Sequence, residues 1–145
     1  MSGVQELFHL GPGSGAPAWL EELDRICFTE PWGDLAGHEQ AWGFQNRAFA
    51  VWSVNEVAGE AELLRMAVES SLRGQGLGHA LLGACEAALG RMGITTFLLE
   101  VRVSNAPARA LYEAAGWKQD GLRRAYYKNG EDAALYRKTL GAVPK

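Results

Sequence analysis

A chain of 145 residues with 48 % apolar and 21 % charged residues can bury the core of one domain, and its net charge of −3 offers no global basic field to nucleic acid. No apolar run reaches the roughly 18 residues of a membrane span, and Met1 to Glu6 carry neither the basic nor the hydrophobic region of a secretory signal. Cys27 and Cys85 form no CxxC pair and sit in apolar helical contexts, so both are expected as reduced core residues. His9, His38 and His79 do not cluster, which gives no basis for a metal site.

In chain order, residues 4–10 suit a short strand and Gly11 to Gly15 a turn cluster. Residues 16–27 carry Trp19, Leu20, Leu23, Ile26 and Cys27 at helical spacing, and Pro31 breaks the pattern at a Glu30-Pro31-Trp32 corner. A second short helix is expected over residues 34–42. Strand character follows from Phe44 to Val57, with a tight turn at Gln45, Asn46 and Arg47, and resumes over 61–68 as part of an antiparallel meander. The longest helix is expected over 76–92, with Gly93 ending it. Residues 94–103 form a strongly apolar strand, expected parallel to 61–68 through a right-handed crossover. Ser104 and Pro107 open a helix over 106–115, and Gly116 closes it. Strands over 117–127 and 131–140 flank a turn at Lys128, Asn129 and Gly130, and the last five residues are expected to fray.

The most informative stretch joins strand 61–68 to the long helix: Arg73, Gly74, Gln75, Gly76, Leu77, Gly78, His79. Glycine lets a backbone amide approach a ligand and take positive φ, and a helix start offers unpaired N–H groups with a partial positive charge. Together they make a seat for a phosphate or pyrophosphate, with Arg73 adding charge. A glycine-rich turn serving packing alone has the same composition. No Gly-Lys-Ser/Thr follows, so this is not a Walker A loop, and the spacing is not that of a dinucleotide fingerprint.

The pattern Arg73-x-x-Gly76-x-Gly78 resembles the acetyl-coenzyme A pyrophosphate loop of the GNAT N-acetyltransferases, and the element order matches theirs. Leu99 to Asn105, Ala110 to Trp117, Arg123 to Tyr127 and Glu131 to Ala133 are similar to the bacterial ribosomal-protein alanine N-acetyltransferase (RimI-type) family, and Phe28 with Pro31 and Trp32 resembles its aromatic corner. A second strand that looks short near Gly43 and Phe44, and the Gly11 to Gly15 loop, depart from the family pattern on the acceptor side. The resemblance implies an α/β GNAT fold, a mixed central sheet with helices on both faces in one domain over residues 1–145. It implies a cytoplasmic enzyme that passes an acetyl group from acetyl-CoA, without metal or acyl-enzyme, to a protein N-terminus. The implied acceptor is the terminal alanine of a small-subunit ribosomal protein of the S18 type. A small-molecule amine acetyltransferase and a non-catalytic coenzyme A-binding module are the alternatives.

An amine must be unprotonated to attack a thioester, and the thiolate leaves more easily when protonated. Glu100, a carboxylate within an apolar strand, suits the base or, equally on spacing, a structural pair with Arg102 or another cation. The resemblance favours the base. It also makes Tyr112 the acid, where the residue alone suits a packed, half-wet tyrosine. Met66, Ala67 and Val68 would pair with the pantetheine arm as a strand does, alongside Arg73 to His79, Asn105 and Tyr112 on the cofactor. Asn105 equally suits a helix cap. Pro31, Trp32, Tyr126 and Tyr127 would line the acceptor groove, and Glu30, Asp34 and Glu113 are acids that could favour a cationic peptide.

Overall fold

The computed structural model describes residues 6–140. In chain order it contains β1 (Phe8–Leu10), α1 (Ala18–Cys27), β2 (Glu39–Phe44), β3 (Ala48–Asn55), β4 (Glu60–Val68), a short 3-10 turn (Ser70–Leu72), α2 (Leu77–Arg91), β5 (Thr96–Arg102), α3 (Ala106–Ala114), β6 (Lys118–Arg123) and β7 (Ala133–Thr139). The strands make one mixed sheet in the order β1-β2-β3-β4-β5-β7-β6. The first four form the expected antiparallel meander, and β5 runs parallel to β4 with α2 as the connection.

Helices cover both faces. On one, α2 and α3 pack Leu81, Leu82, Cys85, Leu89 and Tyr112 against Trp52, Leu63, Phe97, Leu99 and Trp117. On the other, Leu20 and Leu23 of α1 pack against Phe49, Val51 and Ala67. Cys85 is buried as expected, and burial pushes its thiol up to about 12, leaving it inert at neutral pH. Cys27 is only half-buried. Glu86, also in the α2 core, is neutralised by Lys138 at 2.6 Å and accepts from Trp117 Nε1 at 3.1 Å.

The second helix expected over 34–42 does not form. Turn structure gives way to β2 at Glu39, and residues from Gln40 to Phe44 are all buried, which a one-sided helix cannot provide. Glu39 makes the switch locally: its Oε1 accepts from the Ala36 amide at 2.8 Å and from Trp32 Nε1 at 3.2 Å. The second strand is therefore six residues long rather than a remnant near Gly43. Strand β1 covers Phe8–Leu10, and residues 4 and 5 of the expected strand lie outside the described residues, as does the tail from 141. The strand expected over 117–127 stops at Arg123. Ala125 has φ of +48°, a left-handed residue that turns the chain out of the sheet, and its amide donates to Asp132 Oδ1 at 2.8 Å. Tyr126 and Tyr127 thus stand on a loop.

One irregularity shapes the centre of the sheet. Trp52 pairs with Leu63 but Val51 pairs with Arg65, so Leu64 is an extra residue, a bulge in β4. Since side chains alternate with period two, one added residue exchanges the faces. Ala61 and Leu63 face the α2 layer before the bulge, whereas after it Met66 and Val68 face α2 and Ala67 faces α1. The bulge coincides with the end of pairing between β4 and β5, whose last paired residues are Leu63 and Leu99.

Candidate active site

Beyond Leu63 and Leu99 the two central strands diverge. Residues 64–68 of β4 keep β3 on one side, and Glu100 to Arg102 keep β7, but neither has the other as a partner. Their facing edges carry backbone N–H and C=O groups able to accept an inserted extended chain. Met66, Ala67 and Val68 lie on that edge.

The glycine loop stands at the end of β4. Gly74 and Gly76 have φ of +81° and +80°, and a Cβ on either would meet no protein atom within 4 Å. These glycines are required by backbone conformation and leave open space in front of the loop. Gly76 is the N-cap of α2 and has no side chain to satisfy the first-turn amides. That combination fits a pyrophosphate. Gly78 differs: a Cβ there would lie 3.2 Å from Leu111 Cδ2 and 3.7 Å from Met66 Cε, so it allows α2 to approach α3 and β4. Gln75 and His79 are exposed and Leu77 is half-buried. Arg73 folds back over the strand end, its Nε donating to the Val68 carbonyl at 3.1 Å and its NH2 lying 3.6 Å from Cys27 Sγ.

Alternation along β5 turns Leu99 and Val101 into the α2 core and Glu100 to the opposite face. Glu100 is 20 % exposed, and the cation beside it is Arg123, at 3.4 Å, rather than Arg102. Its Oε2 makes no hydrogen bond among the described residues, so the approach of Arg123 is an ion pair without hydrogen-bond geometry. Glu62 shares this face. Burial raises its carboxyl, the charge of Glu100 raises it further, and Arg123 acts in the opposite direction. Tyr112 comes from the other layer, packed in α3 against Trp117 and Tyr136. Burial, with a smaller contribution from Tyr127, pushes its phenol up to about 12.

Asn105 is the N-cap of α3, its Oδ1 accepting from the Ala108 amide at 3.2 Å. Tyr126 and Tyr127 meet edge to face at 5.1 Å and are each held by an arginine: Arg123 over Tyr126 at 4.8 Å, Arg102 over Tyr127 at 4.0 Å. Arg102 also donates to Asn129 and Glu131, both at 3.1 Å. Pro31 and Trp32, with Leu20 and Phe28, line a cleft of about 390 Å³ beside α1. Of the acids considered for a cationic acceptor, Glu113 accepts from Tyr136 Oη at 2.6 Å and Glu30 offers its carbonyl to Arg65 at 2.9 Å, while Asp34 is exposed. No group of three or more metal-ligating side chains occurs among the described residues, nor any helix long and apolar enough to cross a membrane.

Arg65, Asp24 and Glu62 do not stand out in the sequence, and Arg123 stands out there only within the Arg123 to Tyr127 motif, not as the partner of Glu100. A usable signal existed for Arg65, a charge within the apolar run from Leu63 to Val68 and thus the counterpart of Glu100 in the next strand.

The acetyltransferase (GNAT) family profile matches residues 17–117. The [ribosomal protein bS18]-alanine N-acetyltransferase of Escherichia coli K12 is 43 % identical over 84 residues, a match that spans 57 % of this chain and 57 % of that relative's length. The putative [ribosomal protein bS18]-alanine N-acetyltransferase of Bacillus subtilis is 31 % identical over 133 residues, covering 80 % of this chain and 88 % of its own. The crystal structure of the ribosomal-protein-S18-alanine N-acetyltransferase from Escherichia coli superposes with a TM-score of 0.73 at 28 % identity over 97 % of both chains. With the strand divergence, the glycine loop and the profile match in agreement, the chain belongs to the GNAT acetyltransferase family, among relatives named as ribosomal-protein alanine N-acetyltransferases.

Proposed function

We propose that this protein transfers an acetyl group from acetyl-CoA directly to the N-terminal α-amine of a protein, with the terminal alanine of an S18-type ribosomal protein as acceptor. The observation that carries this reading is the opening between β4 and β5, with Glu100 on one face and Tyr112 packed from the other. Acetyl-CoA supplies the activated acyl group as a thioester. The loop from Arg73 to His79 would hold its pyrophosphate, residues 66–68 its pantetheine arm, and Asn105 would donate its side-chain amide. The α1 cleft with Pro31 and Trp32, and the Tyr126–Tyr127 loop, would bracket the incoming peptide.

In this reading Glu100 takes a proton from the acceptor amine, directly or through water, as nitrogen bonds to the acetyl carbon. Tyr112 donates its phenolic proton to sulfur as the carbon–sulfur bond breaks. The proton held by Glu100 then returns to Tyr112 through solvent, so the enzyme is restored and the products are an amide and a free thiol. The buried Oε2 of Glu100, which lacks a hydrogen-bond partner among the described residues, supports the first role, and the phenol of Tyr112, kept protonated by burial, supports the second.

The test is incubation with acetyl-CoA and ribosomal proteins, followed by mass spectrometry of N-termini, with an alanine-initiated peptide for kinetics. Glu100→Gln should lower turnover by roughly 10²–10⁴ fold while acetyl-CoA binding persists, with partial recovery towards pH 9 as free amine accumulates. Acetylation confined to small amines would overturn the acceptor assignment, and wild-type turnover in Glu100→Gln would return Glu100 to a structural role.

A further inference from the structure

We infer that Arg65 is a positioning residue that locks the acceptor-side corner to the strand that would carry the acetyl donor. This rests on the function proposed above and adds a residue to it. Arg65 is the first residue after the bulge and faces the α1 layer because the bulge has exchanged the faces of β4. Its NH1 lies 2.7 Å from Asp24 Oδ1 and donates to the Glu30 carbonyl at 2.9 Å. The guanidinium stands 4.0 Å from the centre of the Phe28 ring and 5.0 Å from that of Trp32. Asp24, whose side chain is 4 % exposed, uses its other oxygen to accept from the Trp32 amide at 2.8 Å. One cation thus gathers α1, the carbonyl of residue 30 and both aromatic rings of the corner.

The next residues along β4 are Met66, Ala67 and Val68, on the edge offered to the pantetheine arm. Arg65 therefore joins the wall of the peptide cleft to the donor strand through a single side chain. The residues from Phe28 to His38 contain no helix or strand, so the corner takes its position from these contacts together with the Trp32 Nε1 hydrogen bond to Glu39 at the start of β2. Lysine could keep the charge opposite Asp24, but not the planar guanidinium over the Phe28 and Trp32 rings. Because the two reactants must meet within a fraction of an ångström, loosening the corner should act on the acceptor and leave the donor bound.

Three variants of the full chain test this: Arg65→Lys, Arg65→Met, and Arg65→Met combined with Asp24→Asn. The double variant removes the buried Asp24 charge along with its partner, so it should regain most of the thermal stability that Arg65→Met loses. Kinetics with an alanine-initiated peptide should show kcat/KM reduced by roughly 10–100 fold in both Met variants, mainly through peptide KM, with acetyl-CoA affinity within about threefold of wild type. Arg65→Lys should fall between. Hydrogen exchange of residues 28–33 should quicken in every variant. If the double variant recovers peptide KM together with stability, the pair is merely structural and the inference fails. Unchanged exchange over 28–33 overturns it whatever the activity. A wild-type protein that binds acetyl-CoA yet acetylates no N-terminal amine overturns the proposed function instead, while the exchange measurement still judges the lock.

Discussion

The ring of Trp19 occupies the place where a side chain on Gly43 would begin: a Cβ there would lie 2.8 Å from Trp19 Cη2 and 2.6 Å from the Ala48 carbonyl oxygen. Gly43 is therefore the position on β2 that allows α1 to lie close over the sheet, and α1 carries Asp24 and the peptide-side corner. Gly43→Ala should destabilise the protein by about 1–3 kcal/mol, measured by urea denaturation. Adding Trp19→Leu should recover only part of that, because the backbone clash with Ala48 remains. An unchanged midpoint in Gly43→Ala would show that the helix has room to move away.

Gly76→Val should abolish the thermal shift that acetyl-CoA produces in the wild type. The residue sits at φ of +80° in open space, so a branched side chain would both strain the loop and stand where the phosphates approach. Gly78→Ala makes the contrast. Its cost is packing against Leu111, offset by about 1 kcal/mol of helix propensity, so the acetyl-CoA shift should persist. A folded Gly76→Val variant with an intact shift would remove the loop from the binding site.

Asn105 has two separable atoms. Asn105→Asp keeps the oxygen that caps α3 and loses the amide donor, so stability should hold while acetyl-CoA affinity falls several-fold. Asn105→Ala should lose both, with about 1 kcal/mol of stability. Equal acetyl-CoA affinity in wild type and Asn105→Asp, measured by calorimetry, would leave capping as the whole role.

The phenol of Tyr112, raised from 10 to about 12 by burial, stays protonated in the native state after the unfolded chain has released its proton. Its contribution to stability is therefore fully present below about pH 10 and declines as pH rises from 10 to 12. Tyr112→Phe should flatten that part of the stability profile. In wild-type kinetics, kcat/KM should rise through pH 8 as the acceptor amine deprotonates, with no fall assignable to Tyr112 before pH 10. Loss of activity near pH 9 that Tyr112→Phe removes would contradict the buried, neutral donor.

The order of strands and helices apart from the helix expected over 34–42, the parallel β4–β5 pair and the glycine loop are all legible in the residues, because each depends on local chemistry. Periodicity sets burial, glycine permits positive φ, and Pro107 and Gly116 bound α3. The stretch from Asp34 to Trp42 reads as helical because its strand is buried from Gln40 onward and shows no alternation to recognise. The aromatic pair at Tyr126 and Tyr127 reads as part of a strand because a left-handed alanine at 125 leaves no mark in composition.

By itself, then, the sequence determined the family, the element order outside residues 34–42 and the residue types capable of acyl transfer. Tertiary structure decided which faces those residues share. One extra residue at Leu64, where pairing with β5 ends, exchanges the faces of β4 and turns Arg65 under the Phe28–Trp32 corner. The same arrangement gives Glu100 to Arg123 rather than to its sequence neighbour Arg102, which instead holds Tyr127. Such partnerships depend on register between strands distant in the chain, and a bulge is visible only against the strand it fails to match.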